Sequence, residues 1–136
     1  MSVSAVSEKT IEQLKSVRNG LLQLHKILLD YQRNVWQRTG GPISNSYQLL
    51  NLVLHDPYFA WLHQLSELVV QIDELLAADE ATEAYGVELL DQARSLLVPS
   101  ETGDAFQRKY FEALQQSPDV VIAHADVVKL LGKKVK

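Results

Sequence analysis

Apolar residues recur at three- and four-residue intervals from Ser7 to about Arg38, at Leu14, Val17, Leu21, Leu24, Leu28, Tyr31 and Val35. That spacing follows the 3.6-residue helical turn and predicts one long helix with a single apolar face turned to a core. Ser7 is placed to cap its start, and Gly40, Gly41 and Pro42 end it. Gly20 falls inside the helix at a cost of about 1 kcal/mol relative to alanine, yet the pattern stays in phase on both sides of it.

A shorter segment from about Asn45 to His55 is apolar nearly all round, through Leu49, Leu50, Leu52, Val53 and Leu54, and is expected to be a central helix covered on several sides. Asp56 and Pro57 supply an N-cap and a first-turn proline, so a helix restarts there with a bend and runs to about Ala78. Its stripe is Tyr58, Trp61, Leu62, Leu65, Leu68, Val69, Ile72, Leu75 and Leu76. Asp79 is expected to cap the next helix, to about Leu97, with Tyr85, Leu89, Ala93 and Leu96 on one side.

After a loop of Pro99, Ser100, Thr102 and Gly103, a helix over Asp104 to Gln116 carries Phe106, Tyr110 and Leu114, and Ser117-Pro118 starts the last helix, which reaches Leu131 before Gly132. No alternating run argues for a strand, and no internal repeat is present. Short connections make neighbouring helices antiparallel. The expected fold is therefore all-α: one domain over residues 1–136, an up-down bundle of four main columns, with 1–6 and 133–136 as frayed ends.

Composition adds bounds. The 136 residues, 46% hydrophobic and 22% charged, suit one globular core rather than a disordered chain. A net charge of -4 gives no basic field, so nucleic acid is not an expected partner, and Lys133, Lys134 and Lys136 read as a solvated end. Without cysteine there is neither a disulfide nor a thiolate ligand. Met1 to Ser7 lack a basic and apolar leader, and the longest apolar run, Tyr58 to Leu62, is far below a membrane span. No membrane partner and a cytoplasmic location follow as expectations.

Candidate chemistry rests on histidines. Seven-residue steps from His25 reach Arg18 and Gln32, forming a polar ladder between the seams Leu14/Leu21/Leu28/Val35 and Leu22/Leu29/Trp36. Buried polar groups need partners, so the ladder either meets polar groups of another helix or lines a wet cavity. His124 lies in the apolar arc of the last helix, near Val121, Val128 and Leu131. If His25 and His124 meet, with Tyr31 or Tyr110 nearby, the site suits an anionic or aromatic small molecule, or a metal. His63 and Glu67 share a helical face at i, i+4, but that face is opposite Leu65 and is expected to meet water. His55 suits the negative end of a helix dipole. No nucleophile-elbow, phosphate-loop, dinucleotide or zinc-protease motif occurs, so neither enzyme activity nor a cofactor nor a metal centre is expected. Phe59 and Val70 leave the core stripe as surplus apolar surface that another helix, of the same chain or of a second subunit, would cover, and with Trp36 they form the expected interface for a partner.

From Leu24 to Glu74 the chain resembles small uncharacterised bacterial helical proteins with an L-H-K-x-L-L-D segment, here LHKILLD, and a D-P-x-F-A-W-L-x-x-L-S block, here DPYFAWLHQLS. The resemblance implies a bacterial source and carries no activity. The expected function is a non-enzymatic protein-interaction module, meeting a partner or a copy of itself. The alternative is a small-molecule or metal-binding bundle built on His25 and His124 with Arg18, Gln32 and Tyr31.

Overall fold

The computed structural model describes residues 3–132, apart from the side chains of Thr39, Pro57 and Tyr58. The lysines at 133, 134 and 136 and the place of Tyr58 on its stripe lie outside the described residues. The chain is an all-α bundle of helices α1 (Glu8–Gly40), α2 (Ser46–His55), α3 (Pro57–Ala60), α4 (His63–Ala77), α5 (Glu83–Leu96), α6 (Ala105–Gln116) and α7 (Pro118–Leu131). No helix among the described residues is long and apolar enough to cross a membrane.

α1 is the spine because its apolar seam can be covered from two sides at once. Leu14, Val17, Leu21, Leu24 and Leu28 are all fully buried, and α1 packs most extensively against α7 and then α4. Both neighbours run antiparallel to it. Gln13 reaches the carbonyl oxygens of Leu130 and Leu131 at one end of α7, while Tyr31 bonds Gln116 beside its other end. Along α4, Arg18 pairs with Asp73 and Gln32 with Trp61, just before the helix. Gly20 lets α7 come close, since a Cβ there would stand 3.0 Å from Val127 Cγ2.

The expected caps at Ser7 and Ser117 are formed: each side chain accepts a backbone N–H of the first turn. Asp104 adds a reciprocal capping box with Gln107. Elsewhere the structure corrects the sequence reading. α5 starts at Glu83 under a Thr82 cap, not at Asp79, because Ala5 and Thr82 form an antiparallel bridge, with Val6 N–H on Ala81 O and Glu83 N–H on Ser4 O. Thr82 is thereby held extended, and residues 4–6, read as loose, are tied to residues 81–83. Glu83 fastens the same corner, accepting from Ser7 N and Thr10 Oγ1 at 2.9 and 2.7 Å.

α2 is not central: none of its residues is buried. It folds back from the end of α1 and touches mainly α3, so only its Leu49, Leu52 and Val53 side packs on the core. Phe59, read as surface, is fully buried. The helix expected over 57–78 is interrupted by a turn at Trp61–Leu62, and the interruption shifts the helical phase of everything before it. Phe59→Ala is accordingly expected to lower unfolding free energy by about 3–5 kcal/mol, as for a core phenylalanine. Urea denaturation measures it, and a change under about 0.5 kcal/mol, typical of a surface site, would return Phe59 to the outside.

Candidate functional site

The polar ladder of α1 meets polar groups of its neighbours. Arg18 Nη1 lies 3.0 Å from Asp73 Oδ1. Gln32, almost fully buried, accepts the indole N–H of Trp61 at 3.0 Å. His25 stands half-buried between them, opposite His63 of α4, and its pKa is lowered first by burial and then by repulsion from His63. His63 is half-buried rather than fully in water, while Glu67 is exposed. Arg18 Nε is buried without a hydrogen bond among the described residues.

His25 and His124 have different partners. His124, on α7, has its Nδ1 2.5 Å from the hydroxyl of Tyr110 on α6, and burial alone lowers its pKa. Tyr110 is fully buried and burial raises its pKa, so the phenol is protonated across the physiological range. Its neighbours extend the contact: Trp61, Phe106, Tyr110 and His124 form a row of rings with successive centroids 5.4 Å apart. The arc assigned to His124 is corrected too. Val121 and Val128 are exposed, and the buried side of α7 is Val120, Ala123, Val127 and Leu131.

His124 lies on the wall of a surface cavity of about 320 Å³, with Leu97, Val98, Pro99, Val128 and Leu131 as its apolar lining and Arg94 at one edge. Arg94 is already engaged: Nη1 pairs with Asp91 at 2.7 Å, while Nη2 and Nε bond the carbonyl oxygens of Leu131 and Gly132. It caps the negative end of α7. Tyr31 belongs elsewhere, in a smaller polar recess with Asp30, Arg38 and Asp119, its hydroxyl 3.2 Å from Gln116. A wider trough of about 670 Å³ beside α5 carries Glu88, Asp91 and Asp104. No group of three or more histidines and carboxylates that could hold a metal ion occurs among the described residues.

Of the proposed surface residues, Val70 is exposed on α4, Trp36 is half-buried against the core near the end of α1, and Phe59 is inside. They form no common patch. The sequence pattern places Trp61 on a core stripe and Asp73 at an ordinary surface or boundary position, and gives no signal for Arg94. The Tyr110–His124 pair had a usable signal: the two residues stand seven positions either side of Ser117, the turn of a tight helical hairpin, and facing residues of such a hairpin are equidistant from its turn. Comparison with protein-family models, with curated proteins and with solved structures found no match to this chain.

Gln32→Leu would strand the Trp61 N–H in a buried setting and is expected to cost about 1–3 kcal/mol, read by urea denaturation against Trp61→Phe and the double variant. Additive effects would mean that the two side chains do not interact. The lowered histidines also set a pH dependence. The unfolded chain binds protons more readily than the folded one below the ordinary imidazole pKa near 6.5, so their contribution is complete above that value and declines as pH falls through it. Glu83, held below the usual carboxylate value by the Ser7 and Thr10 hydrogen bonds, acts in the same direction at lower pH. Stability measured at pH 7.5, 6 and 5 should fall stepwise, and His25→Gln should flatten the slope between 6.5 and 5; an unchanged slope contradicts the assignment.

Proposed function

We propose that this chain is a non-catalytic protein-interaction module, with α2 as its docking element and a second copy of the chain as its partner. The observation that supports this reading is that no residue of α2 is fully buried against its own chain, while Tyr47, Leu50 and Leu54 stand 81%, 54% and 53% exposed. Steps of three and then four residues put all three on one helical face, the spacing used by helices that dock in apolar grooves. The sequence of α2 contains no Asp, Glu, Lys or Arg. Two copies can therefore meet there without like-charge repulsion, although each chain carries a net charge of -4. A twofold contact needs only such a self-complementary patch.

The contact is small. Ten residues at 1.5 Å per residue make a helix about 15 Å long, which by itself covers less than the roughly 1,000 Å² expected of a stable interface. Association is weak and reversible. We set the module in the bacterial cytoplasm, supported by the resemblance of the Leu24–Glu74 stretch and by a cysteine-free chain that needs no oxidising compartment.

Light scattering over a concentration series should show the mass rising from monomer toward dimer in the upper micromolar range, about the strength of weak encounters. The double variant Leu50→Lys with Leu54→Lys should stay monomeric with an unchanged melting temperature. A wild-type chain that is monomeric at millimolar concentration overturns the reading.

A further inference from the structure

The cavity beside His124 joins three properties that a ligand can read together: an apolar wall, a defined size and one oriented polar group. The direction of the Tyr110–His124 hydrogen bond decides what that group is. Tyr110 is fully buried, and its hydroxyl has His124 Nδ1 as its hydrogen-bond partner. Were Nδ1 to carry the proton and donate, the phenolic O–H would be left inside the protein with no acceptor, which buried hydroxyls avoid. Tyr110 therefore donates and Nδ1 accepts. A neutral imidazole that accepts at Nδ1 carries its proton at Nε2, and burial favours the neutral ring.

Nε2–H is thus a fixed donor. Arg18 Nε is the buried, unpartnered side-chain nitrogen among the described residues, so the Nε2 of His124 is not sealed inside, and since His124 is one of the residues lining the cavity we infer that this nitrogen meets an occupant there. Arg94 does not compete for that occupant, because Asp91 balances its charge and the carbonyl groups of Leu131 and Gly132 take its other edges. Among the described residues the cavity consequently offers one neutral side-chain donor and no free cation. Its volume of about 320 Å³ sits at the small end of ligand sites.

We propose that the cavity formed by the end of α5, the following loop and α7 binds a small neutral carbonyl compound, its single ring or short branched chain against Leu97, Val98 and Val128 and its oxygen accepting from His124 Nε2–H. The proposal is independent of α2 and of self-association. A carboxylate gains little over a ketone here, because no unpaired positive charge among the described residues faces it, and a hydrocarbon of the same shape leaves the donor unpaired.

The test is a two-dimensional ¹⁵N–¹H NMR titration of the full chain with three probes of one shape: acetophenone, benzoate and ethylbenzene. Acetophenone should shift the amides of Val98, His124, Val128 and Gly132 with millimolar or tighter affinity. Ethylbenzene should bind about tenfold more weakly, the worth of one hydrogen bond, and benzoate no more tightly than acetophenone. The imidazole ¹⁵N spectrum of the free protein should show the Nε2–H tautomer. Tyr110→Phe, which keeps the ring and removes the donor, should mix the tautomers and reduce the preference for acetophenone over ethylbenzene, while Val128→Phe should block all three probes. Equal affinity for acetophenone and ethylbenzene, a dominant Nδ1–H tautomer, tighter binding of benzoate, or shifts scattered away from these residues would each overturn the proposal.

Discussion

One seam of side chains organises this bundle: the inner face of α1, where five successive apolar residues from Leu14 to Leu28 lose all contact with solvent. A helix of 33 residues spans about 50 Å, and its stability in water comes mainly from what covers its apolar face rather than from intrinsic propensity. Each fully buried leucine or valine contributes about 1.5–3 kcal/mol, which offsets the chain entropy lost in ordering the helices. α7 and α4 can both reach the seam because Gly20 leaves room for Val127 on one side. The remaining helices attach to this three-helix unit, α5 through Leu89, Leu90 and Ala93 and α6 through Phe106 and Tyr110.

Leucines alone would hold α4 against α1 in several registers, since apolar contacts have no direction. The ladder Arg18, His25 and Gln32 supplies the missing selection. Sliding α4 by one turn, about 5.4 Å, would separate Arg18 from Asp73 and leave the Gln32 amide and the Trp61 indole without partners. The Arg18–Asp73 pair is partly exposed and adds under about 1 kcal/mol, so its worth is in alignment. The Gln32–Trp61 bond is enclosed, where an unmet donor costs more than a made bond contributes. A row of rings then carries the same constraint from Trp61 through Phe106 to Tyr110.

What could be read from the sequence follows the range of each signal. The period of α1, its Ser7 cap and its Gly40-Gly41 stop are local, as are Ser117-Pro118 and the end of α7 at Gly132, and all are found where expected. The start of α5 is not local: it is set by a bridge between Ala5 and Thr82, far apart in the chain. α2 shows a different limit. Apolar residues all round a helix imply that several sides want cover, but the pattern cannot tell whether the rest of the chain reaches them, and here α3 and the core reach one side. Phe59 was assigned from a helical phase that the turn at Trp61–Leu62 invalidates. The inward turn of His25 was legible; its partner was not, because that depends on the register between α1 and α4.

The two open features of the surface differ in kind. The outer side of α2 is convex and carries no charged group, so it can gain only by removing area from water, and that requires a partner of comparable extent. The His124 cavity is concave and contains a donor whose direction follows from burial of the Tyr110 hydroxyl. Burying a phenol in the core obliges it to find an acceptor; the acceptor it finds is one nitrogen of an imidazole, and the proton of that ring must then sit on the other nitrogen. In this way packing of α6 against α7, a requirement of folding, fixes the polarity of a group at the surface, and the chemistry of the cavity follows from the core behind it.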